Sequence, residues 1–462
     1  MNLRTGVLFV ATIVAGLGAA PLRAQVVGDW SGSLQAGGAE YFLVFHVTEA
    51  EDGLAVTMDS PDQGAYGIEA SSAVYASDTL TVGFAAIGGE YVGTLSEDGN
   101  LTGTWTQGGQ TFPLEFTPGA GEAPQANRPQ EPSEPYPYAA EDVAFANAEA
   151  GIELAGTLTL PDASGPHPAA VLISGSGPQN RDEEVFGHRP FLVLADHLTR
   201  QGVAVLRYDD RGVGESGGSS AGSTSLDFVT DAEAALRYLE GRDDIDAQRI
   251  GLIGHSEGGV IAPLVATETD GVAYVVMIAG PGIRGDSLLL LQAAAINQAS
   301  GATAQQVATN RDIQRRLFAV ATSDASQADV AIQARQIFSE LAPEFTGGQL
   351  DAQIAFISSP WMRWFLAYDP APALARLKCP TLAVNGSNDL QVLVEPNLSA
   401  IEAALAAAGN PDFEVVALDG LNHLLQTSDT GLISEYGQIE ETIAPVALQT
   451  IGDWIAQRFV GS

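Results

Sequence analysis

Ser256 stands in a stretch whose residue types and spacing fit a catalytic nucleophile. The stretch Ile250–Val260 reads Ile-Gly-Leu-Ile-Gly-His-Ser-Glu-Gly-Gly-Val and holds the pattern G-x-S-x-G between an apolar strand and an apolar helix. This setting makes a tight turn that strains the serine backbone and exposes its hydroxyl at the top of a sheet. Gly254 and Gly258 flank the serine because a Cβ at either position would clash where strand and helix pass closely. We therefore predict that Ser256 is the nucleophile.

A serine nucleophile needs an imidazole base, and the base needs a carboxylate that fixes its tautomer. The chain order that goes with this turn is serine, then acid, then histidine. Of the six histidines, His423 alone follows the serine with room for an acid between them. Asp389, in a short loop after an apolar strand, is the first choice for the acid. Asp419 and Glu395 are the rivals.

Two backbone N–H groups are predicted to bind the oxyanion that forms during acyl transfer. The N–H of Glu257 lies at the start of the helix after the serine, where the helix dipole favours negative charge. The second donor is expected in the small-residue loop Ser174–Pro178, which follows another strand. Ser176 is the first choice there and Gly177 the second. Such donors contribute on the order of 3 kcal/mol each to transition-state stabilisation.

The element that must position these residues is a predicted sheet that begins near residue 139. Apolar strands are predicted at 143–147, 154–160, 169–173, 203–207, 249–253, 274–279, 381–385 and 413–418. Core helices are predicted at 190–201, 226–240, 259–267, 397–408 and 443–459. This alternation predicts a mainly parallel sheet with helices on both faces and ligands at the carboxyl ends of its strands.

A run of helices at about 284–375 interrupts the alternation and predicts a cap over the strand ends. Its predicted helices include 287–298, 310–321 and 328–341. Near its end lies the aromatic cluster Pro360–Phe365. These aromatic side chains either line an acyl or alkyl pocket or pack the cap on the core. We take the whole segment 139–462 as one domain.

Residues 25–117 have a different pattern, with short strands that alternate in polarity. Strands are predicted at 41–47, 54–58, 79–84, 91–95 and 101–105, with a turn at 97–100. This spacing predicts a small antiparallel barrel or sandwich, with Trp30 and Trp105 in its core. His46 is predicted to be a packed or surface histidine rather than a catalytic one. The Pro-rich segment 118–138 is predicted to be an extended linker.

The N-terminal segment 1–24 has the pattern of a signal peptide. Arg4 precedes an apolar run over 6–18, and Ala24 before Gln25 fits a cleavage site. An earlier cleavage site near Ala20 and an uncleaved membrane anchor are the alternatives. We expect an exported protein, periplasmic or extracellular, with no stable membrane insertion after cleavage.

The composition excludes some partners. The net charge is −37, from 57 acidic and 20 basic residues in a chain of 462. A field of this sign repels phosphate backbones, so we expect no nucleic-acid partner. The single cysteine, Cys379, precludes an intrachain disulfide and is predicted to be a buried structural thiol. No metal or organic cofactor is implied by the residues above.

Taken together, five motifs resemble the α/β-hydrolase superfamily, and more closely the bacterial EstD-type esterases grouped with the S33-like serine aminopeptidase hydrolases. They are Ile173–Pro178, Arg207–Gly214, Gly254–Gly259, Asn385–Asp389 and Gly420–His423. The resemblance covers residues from about 139 to 462. It implies a carboxylesterase that prefers short acyl groups, with Ser256, Asp389 and His423 as its triad.

The function that we expect is hydrolysis of small carboxylic esters through an acyl-enzyme. One alternative is a peptidase that removes N-terminal residues. It would need carboxylates for the substrate ammonium, for which Glu340, Glu344 and the side chain of Glu257 are candidates. An alternative of another class is a non-catalytic binding protein on a hydrolase scaffold, which covalent labelling by a fluorophosphonate would distinguish. The sequence leaves the oligomeric state open.

Overall fold

The computed structural model describes most of the chain. The described residues are 26–36, 39–50, 53–61, 65–85, 87–107, 110–121, 127–343 and 345–460. The predicted signal peptide at 1–24 lies outside them. Within them, no helix has the length and apolar character that crossing a membrane requires.

The N-terminal part folds into one curved antiparallel sheet. Its described strands are β1 (Gly28–Ala36), β2 (Ala39–Ala50), β3 (Gly53–Ser60), β4 (Ala65–Glu69), β5 (Ser72–Ala76), β6 (Thr79–Phe84), β7 (Gly89–Leu95), β8 (Leu101–Gln107) and β9 (Gln110–Pro118). Their order across the sheet is β4-β3-β2-β1-β9-β8-β7-β6-β5, so β4 and β5, consecutive in sequence, lie at its two edges. The sheet forms a half-barrel, which agrees with the prediction of a small antiparallel barrel rather than a sandwich.

Aromatic side chains fill the inside of this half-barrel. Trp30 and Trp105 are both buried, as predicted, and share one core with Phe45, Phe84 and Phe116. The ring centroids of Phe45 and Phe116 are 4.3 Å apart. Alternation along the strands places these large apolar residues on the concave face. The domain therefore has a core of its own.

His46 in β2 is partly exposed and contacts two carboxylates. Its Nδ1 is 2.7 Å from Asp29 Oδ1, and its Nε2 is 3.0 Å from Asp59 Oδ2. Hydrogen bonds to Asp59 and Asp29 raise the pKa of His46. The histidine is a partly exposed ion-pair partner, in keeping with its predicted structural role.

The Pro-rich segment, where it is described, is held against the second domain. Arg128 donates from its guanidinium to four backbone carbonyls, those of Phe186, Gly187, Gly437 and Ile439. Gln130 accepts the N–H groups of Thr442 and Ile443. This end of the segment is therefore fixed by hydrogen bonds rather than free in solvent.

The second domain is built on an eight-stranded sheet. Its strands are β10 (Ala139–Asn147), β11 (Ile152–Leu160), β12 (His167–Ile173), β13 (Ala204–Tyr208), β14 (Ile245–His255), β15 (Val272–Ile278), β16 (Thr381–Gly386) and β17 (Phe413–Leu418). Their order is β10-β11-β13-β12-β14-β15-β16-β17. The first three strands pair antiparallel, and all pairs from β13 to β17 are parallel. β12, β13 and β16 are buried along their whole length, as strands covered on both faces must be.

Helices cover both faces of this sheet and one end of it. They are α1 (Pro190–Arg200), α2 (Ser225–Glu240), α3 (Gly258–Glu268), α4 (Gly285–Ala299), α5 (Ala304–Ala321), α6 (Gln327–Leu341), α7 (Gly347–Ser358), α8 (Pro360–Ala367), α9 (Ala371–Leu374), α10 (Val394–Ala407), α11 (Ile433–Tyr436) and α12 (Pro445–Phe459). α2, α3 and α10 pack in one core cluster, and α1 and α12 pack in another. These layers confirm the predicted α/β-hydrolase fold class.

The helices α4 to α8 form the predicted insertion between β15 and β16. They share a small core of their own, which includes Phe318, Val330, Phe338, Met362 and Leu366. The predicted aromatic cluster is α8, and its Met362 and Phe365 are buried in the packing of these helices. Trp361 on α8 donates to Glu257, which follows the last residues of β14, so the insertion lies at the carboxyl ends of the strands.

Candidate active site

Ser256 lies in the turn between β14 and α3 with φ of +51°, in the left-handed region that side chains rarely adopt. Its N–H donates to the carbonyl of Ile278 at 2.9 Å, which anchors the turn to β15. A Cβ on Gly254 would lie 2.0 Å from the carbonyl oxygen of Gly258. A Cβ on Gly258 would lie 2.1 Å from the carbonyl oxygen of Ile173. The backbone is thus strained at the serine and tolerates only glycine at the two flanking positions.

His423 and Asp389 are brought together at the ends of neighbouring strands. His423 Nδ1 lies 2.8 Å from Asp389 Oδ2, and both side chains are buried. Asp389 Oδ1 accepts the N–H groups of Gln391 at 2.7 Å and Val392 at 2.9 Å, which fixes the carboxylate. A carboxylate that only accepts places a proton on Nδ1 and leaves Nε2 free to accept one.

The loop that carries His423 is tied to the turn that carries the serine. His255 Nε2 lies 3.1 Å from the carbonyl oxygen of His423, and the centroids of their rings are 4.9 Å apart. Within the loop, Asn422 Oδ1 accepts the N–H groups of Leu424 and Gln426, each at 3.0 Å. The loop of His423 is therefore hydrogen-bonded to His255, the residue before the nucleophile, and is braced by the side chain of Asn422.

The predicted oxyanion donors flank the serine. Glu257 immediately precedes α3, and among the described residues neither its N–H nor that of Ser176 has an acceptor. A Cβ built on Gly175 would lie 3.3 Å from Ser256 Cβ, which places the loop of Ser176 against the nucleophile. Gly177, the second choice, has φ of +103° in the same loop. Two uncommitted N–H groups beside a serine are what oxyanion binding requires.

Two buried carboxylates brace this loop. Glu183 Oε1 accepts the N–H of Gly175 at 2.6 Å. Asp210 lies 2.9 Å from Ser174 Oγ through Oδ1 and accepts the N–H of Gln179 at 3.0 Å through Oδ2. Both ends of the loop are consequently fixed to the sheet.

The carboxyl group of Asp210 predicts a pH dependence of stability. Burial raises its pKa from 3.8 to about 8, against the effect of hydrogen bonds from Gln179 and Ser174. Because the folded-state pKa is the higher one, the stability that this group contributes is complete below pH 4 and is lost as the pH rises through 8. The slope is at most about 1.4 kcal/mol per pH unit. We expect Asp210→Asn, whose amide has the hydrogen-bonding pattern of the neutral acid, to abolish this loss.

The measurement is the melting temperature of the wild-type protein and of Asp210→Asn between pH 5 and pH 8.5. We expect the wild-type value to fall more steeply with rising pH, so that the advantage of the variant grows with pH. Two parallel curves would show that Asp210 is ionised throughout this range.

The side chain of Glu257 links the serine turn to the insertion. It is buried, and its Oε1 accepts a short hydrogen bond from Ser225 Oγ on α2 and one of 2.8 Å from Trp361 Nε1 on α8. Burial raises the pKa of Glu257, and the hydrogen bonds from Ser225 and Trp361 oppose this rise. A carboxylate oxygen engaged in this way by two protein donors is poorly placed to recognise a substrate amine.

A cavity of about 440 Å³ opens between the loop of Ser176 and the insertion. Its walls are Ser176, Gly177, Pro178, Ser220, Gly222, Ser223, Phe228, Phe356, Ser359, Pro360 and Trp361. None of these described residues carries a charged side chain. Pro360 and Trp361 thus line a cavity, while Met362 and Phe365 are buried in the packing of the insertion.

The rival acids Asp419 and Glu395 have no hydrogen bond to His423 in the described structure, and Arg211, from the motif Arg207–Gly214, has a structural partner. Asp419 accepts a hydrogen bond from Ser387 Oγ at 3.2 Å, and Glu395 lies in the first turn of α10. Arg211 pairs with Asp231 on α2 at 2.7 Å, a buried structural pair.

Two further candidates have structural surroundings. Burial raises the pKa of the Cys379 thiol to about 11, which makes it a poor nucleophile. Glu340 pairs with Arg316 on the exposed face of the insertion, and Glu344 lies outside the described residues. In the described part of the chain, no three His, Cys, Asp or Glu side chains are grouped to hold a metal ion.

Sequence reasoning missed Glu183, Ser225 and the cavity residues Phe228 and Phe356. Glu183 stands in the run Arg181-Asp182-Glu183-Glu184, which has the composition of a solvated loop. Its burial depends on contacts with residues far away in sequence, and no local pattern indicates them. The aromatic residues Phe228 and Phe356 could have been found only from the packing of α2 and α7.

Comparison with protein families gives a match over part of this domain. A family described as "Serine aminopeptidase, S33" matches residues 189–359. These residues include Ser256, Glu257 and most of the insertion. They end before Asp389 and His423.

Individual relatives and solved structures extend the comparison. Esterase EstD of Thermotoga maritima is 27% identical over 282 residues, which are 59% of this chain and 58% of the relative. The protein YfhR of Escherichia coli O157:H7, which is uncharacterised, is 29% identical over 147 residues, 31% of this chain and 48% of that one. The chain therefore spans about half the length of these two relatives. The structure of the Pyrococcus furiosus esterase Pf2001 aligns with 73% of this chain and 99% of its own, at 16% identity and a TM-score of 0.44.

Proposed function

We propose that this protein, which has the α/β-hydrolase fold, is a serine hydrolase that cleaves small carboxylic esters through an acyl-enzyme. The observation that carries the proposal is the buried pair of His423 and Asp389, whose loop is hydrogen-bonded to His255, the residue before a strained Ser256. The similarity to Esterase EstD supports ester substrates. A preference for short acyl groups is part of the proposal.

Acylation begins when Ser256 Oγ attacks the ester carbonyl carbon. His423 Nε2 takes the hydroxyl proton, and the resulting imidazolium is stabilised by Asp389, to which Nδ1–H donates. The carbonyl oxygen becomes an oxyanion that accepts from the N–H groups of Glu257 and Ser176. The bond from carbon to the leaving oxygen then breaks, and His423 returns the proton to the departing alcohol.

Deacylation repeats these steps with water as the nucleophile. His423 removes a proton from water, whose oxygen attacks the acyl carbon and forms a second oxyanion at the same N–H groups. The bond to Ser256 Oγ breaks, the serine recovers its proton from His423, and the carboxylic acid leaves. Each cycle consumes one ester and one water and releases one alcohol and one acid.

The cavity favours a neutral, apolar group on the substrate. Its walls include Phe228, Phe356 and Trp361 and, among the described residues, no carboxylate that would accept an ammonium group. Glu257, the nearest acidic side chain in sequence to the serine, is engaged by Ser225 and Trp361. A buried ammonium without an acceptor is costly. We therefore favour an esterase over an aminopeptidase.

The test compares p-nitrophenyl esters from acetate to octanoate with alanine p-nitroanilide, with and without an acetyl group on its amine. We expect kcat/KM for acetate or butyrate to be highest and at least about 100-fold above that for the free-amine anilide, because an unpaired buried charge costs roughly 3 kcal/mol. The acetylated anilide is the control for charge. If the free amine were cleaved faster than the acetylated form, the protein would bind the ammonium group and be a peptidase.

A further inference from the structure

Glu183 is a buried carboxylate that the proposed mechanism does not use. It is 3% exposed, and its φ of +51° is unfavourable for a glutamate. One oxygen, Oε1, accepts the N–H of Gly175 at 2.6 Å and lies 2.8 Å from His255 Nδ1. Gly175 precedes Ser176, and His255 precedes Ser256, so this oxygen contacts both neighbouring segments of the site.

The second nitrogen of His255 also faces an acceptor. Nε2 lies 3.1 Å from the carbonyl oxygen of His423, and a carbonyl accepts but never donates. Nε2 therefore carries a proton. Nδ1 faces the carboxylate of Glu183, which also only accepts, so Nδ1 carries a proton as well. Burial lowers the pKa of His255, but the charge and hydrogen bond of Glu183, the hydrogen bond to the carbonyl of His423 and the charge of Asp389 together outweigh burial, so the net shift is upward. The geometry describes an imidazolium paired with a carboxylate.

We propose that Glu183 and His255 form a buried ion pair that positions the oxyanion loop, the serine turn and the loop of the catalytic histidine relative to one another. Glu183 binds the oxyanion loop through the N–H of Gly175. His255 is part of the serine turn and binds the loop of the catalytic histidine through the carbonyl of His423. Both are positioning residues, since neither is assigned a contact with the substrate. The proposal rests on the proposed function for its kinetic consequences only.

The three segments need such a connection because they follow three different strands, β12, β14 and β17. A displacement of 1 Å between reacting groups can cost about 100-fold in rate. The space between the segments is tight, since a Cβ on Gly175 would lie 3.2 Å from Glu183 Oε1 and 3.4 Å from His255 Nδ1. No water is needed to connect them.

Other ionisable groups surround the pair. Asp389 acts on His255 through its charge, and the ring of His423 lies beside that of His255 at 4.9 Å between centroids. Asp210 and Glu183 also interact through their charges. The imidazolium of His255 thus lies near the carboxylates of Glu183 and Asp389, whose charges favour its charged form, whereas the carboxyl group of Asp210 is neutral below pH 8.

The first test reads the protonation of His255 without substrate. Nitrogen-15 NMR of the full chain with labelled histidine distinguishes rings with two protonated nitrogens from neutral ones. His46, which lies between Asp29 and Asp59, would also give an imidazolium signal, so the spectrum is recorded on a His46→Asn background. At pH 8 we expect one imidazolium, and we expect Glu183→Gln on this background to remove it. A spectrum without it, or one in which it survives Glu183→Gln, would overturn the ion pair.

The second test is kinetic. We expect Glu183→Gln to lower kcat for ester hydrolysis by roughly 10- to 100-fold with little change in KM. His255→Asn should do the same, and the double variant should lose no more than the worse single one, because the two residues act as one unit. Additive losses, or a kcat equal to that of the wild type in Glu183→Gln, would overturn the proposal.

The matched control is Glu184→Gln, the same chemical change one residue along. Glu184 is only partly buried and accepts a hydrogen bond from Asn180 at 3.2 Å, and in the described structure its side chain has no hydrogen bond to Gly175, His255 or the loop of His423. We expect its kcat to be that of the wild type. If Ser256 is not the nucleophile, the kinetic test loses its meaning but the NMR test does not, so the two proposals fail separately.

Discussion

Replacing Ser256 with alanine is expected to lower kcat for p-nitrophenyl acetate by roughly 10⁴-fold or more. The reason is that acyl transfer requires an oxygen that can form a covalent bond with the substrate, and the oxyanion donors and His423 cannot supply one. The same change should abolish labelling by a fluorophosphonate, which reacts only with an activated serine. Both rates would be measured at the same pH on folded protein, as judged by its melting temperature.

The matched control for this experiment is Ser287→Ala. Ser287 lies in the first turn of α4 and its hydroxyl contacts Asp286, on the exposed side of the insertion. We expect its kcat to stay within a factor of two or three of the wild-type value. Activity that survives in Ser256→Ala would mean that another group is the nucleophile. A wild-type protein without activity and without labelling would favour the binding-protein alternative.

The strands that carry this site were predictable because burial on both faces gives them a mostly apolar sequence. β12 and β16 are covered on both faces, so every residue in them is buried and most are apolar. The predicted ranges 169–173 and 381–385 fall inside them. Such strands end in loops at one edge of a parallel sheet, which is why the G-x-S-x-G pattern, chain order and loop position together predicted Ser256, Asp389 and His423.

Two strands of the half-barrel, β1 and β9, were harder to predict from the sequence. β1 places Trp30 and Leu34 in the core, but Gly32 stands between them, so its inward residues do not alternate as large apolar side chains. β9 carries Pro113 in its middle, and a proline there disfavours the prediction of a strand because it has no N–H to donate. β1 and β9 form because they pair with β2 and β8, and a local sequence pattern does not show such pairing. The fold class was nevertheless predictable from the other strands.

The polar interior around the site could not be predicted for a different reason. Glu183, Asp210 and Glu257 are buried and satisfied by donors that come from other loops. The sequence predicted a backbone role for Glu257, with its side chain as a candidate for binding an ammonium group, and no buried role for Glu183. A charged residue is usually solvated, and only the assembled loops show which ones are not. The connections among the loops therefore follow from the structure alone.

Replacing Asp389 with asparagine is expected to lower kcat by about 10⁴-fold while the protein stays folded. Asp389 Oδ1 accepts the N–H groups of Gln391 and Val392, so the amide oxygen of the variant should keep that position. The amide NH₂ must then face His423 Nδ1 and donate to it. This hydrogen bond favours the tautomer with its proton on Nε2, the nitrogen that has to accept the proton of Ser256.

The matched control is Asp419→Asn, the same change in the rival acid. Asp419 accepts one hydrogen bond, from Ser387 Oγ, and contacts neither ring nitrogen of His423 in the described structure. We expect its kcat to stay within a factor of three of the wild-type value, measured with p-nitrophenyl acetate beside Asp389→Asn. If Asp419→Asn were the more damaging change, the acid of the triad would be Asp419. If both variants kept their activity, His423 would work without a carboxylate partner, and the proposed mechanism would lose the group that sets the tautomer of its base.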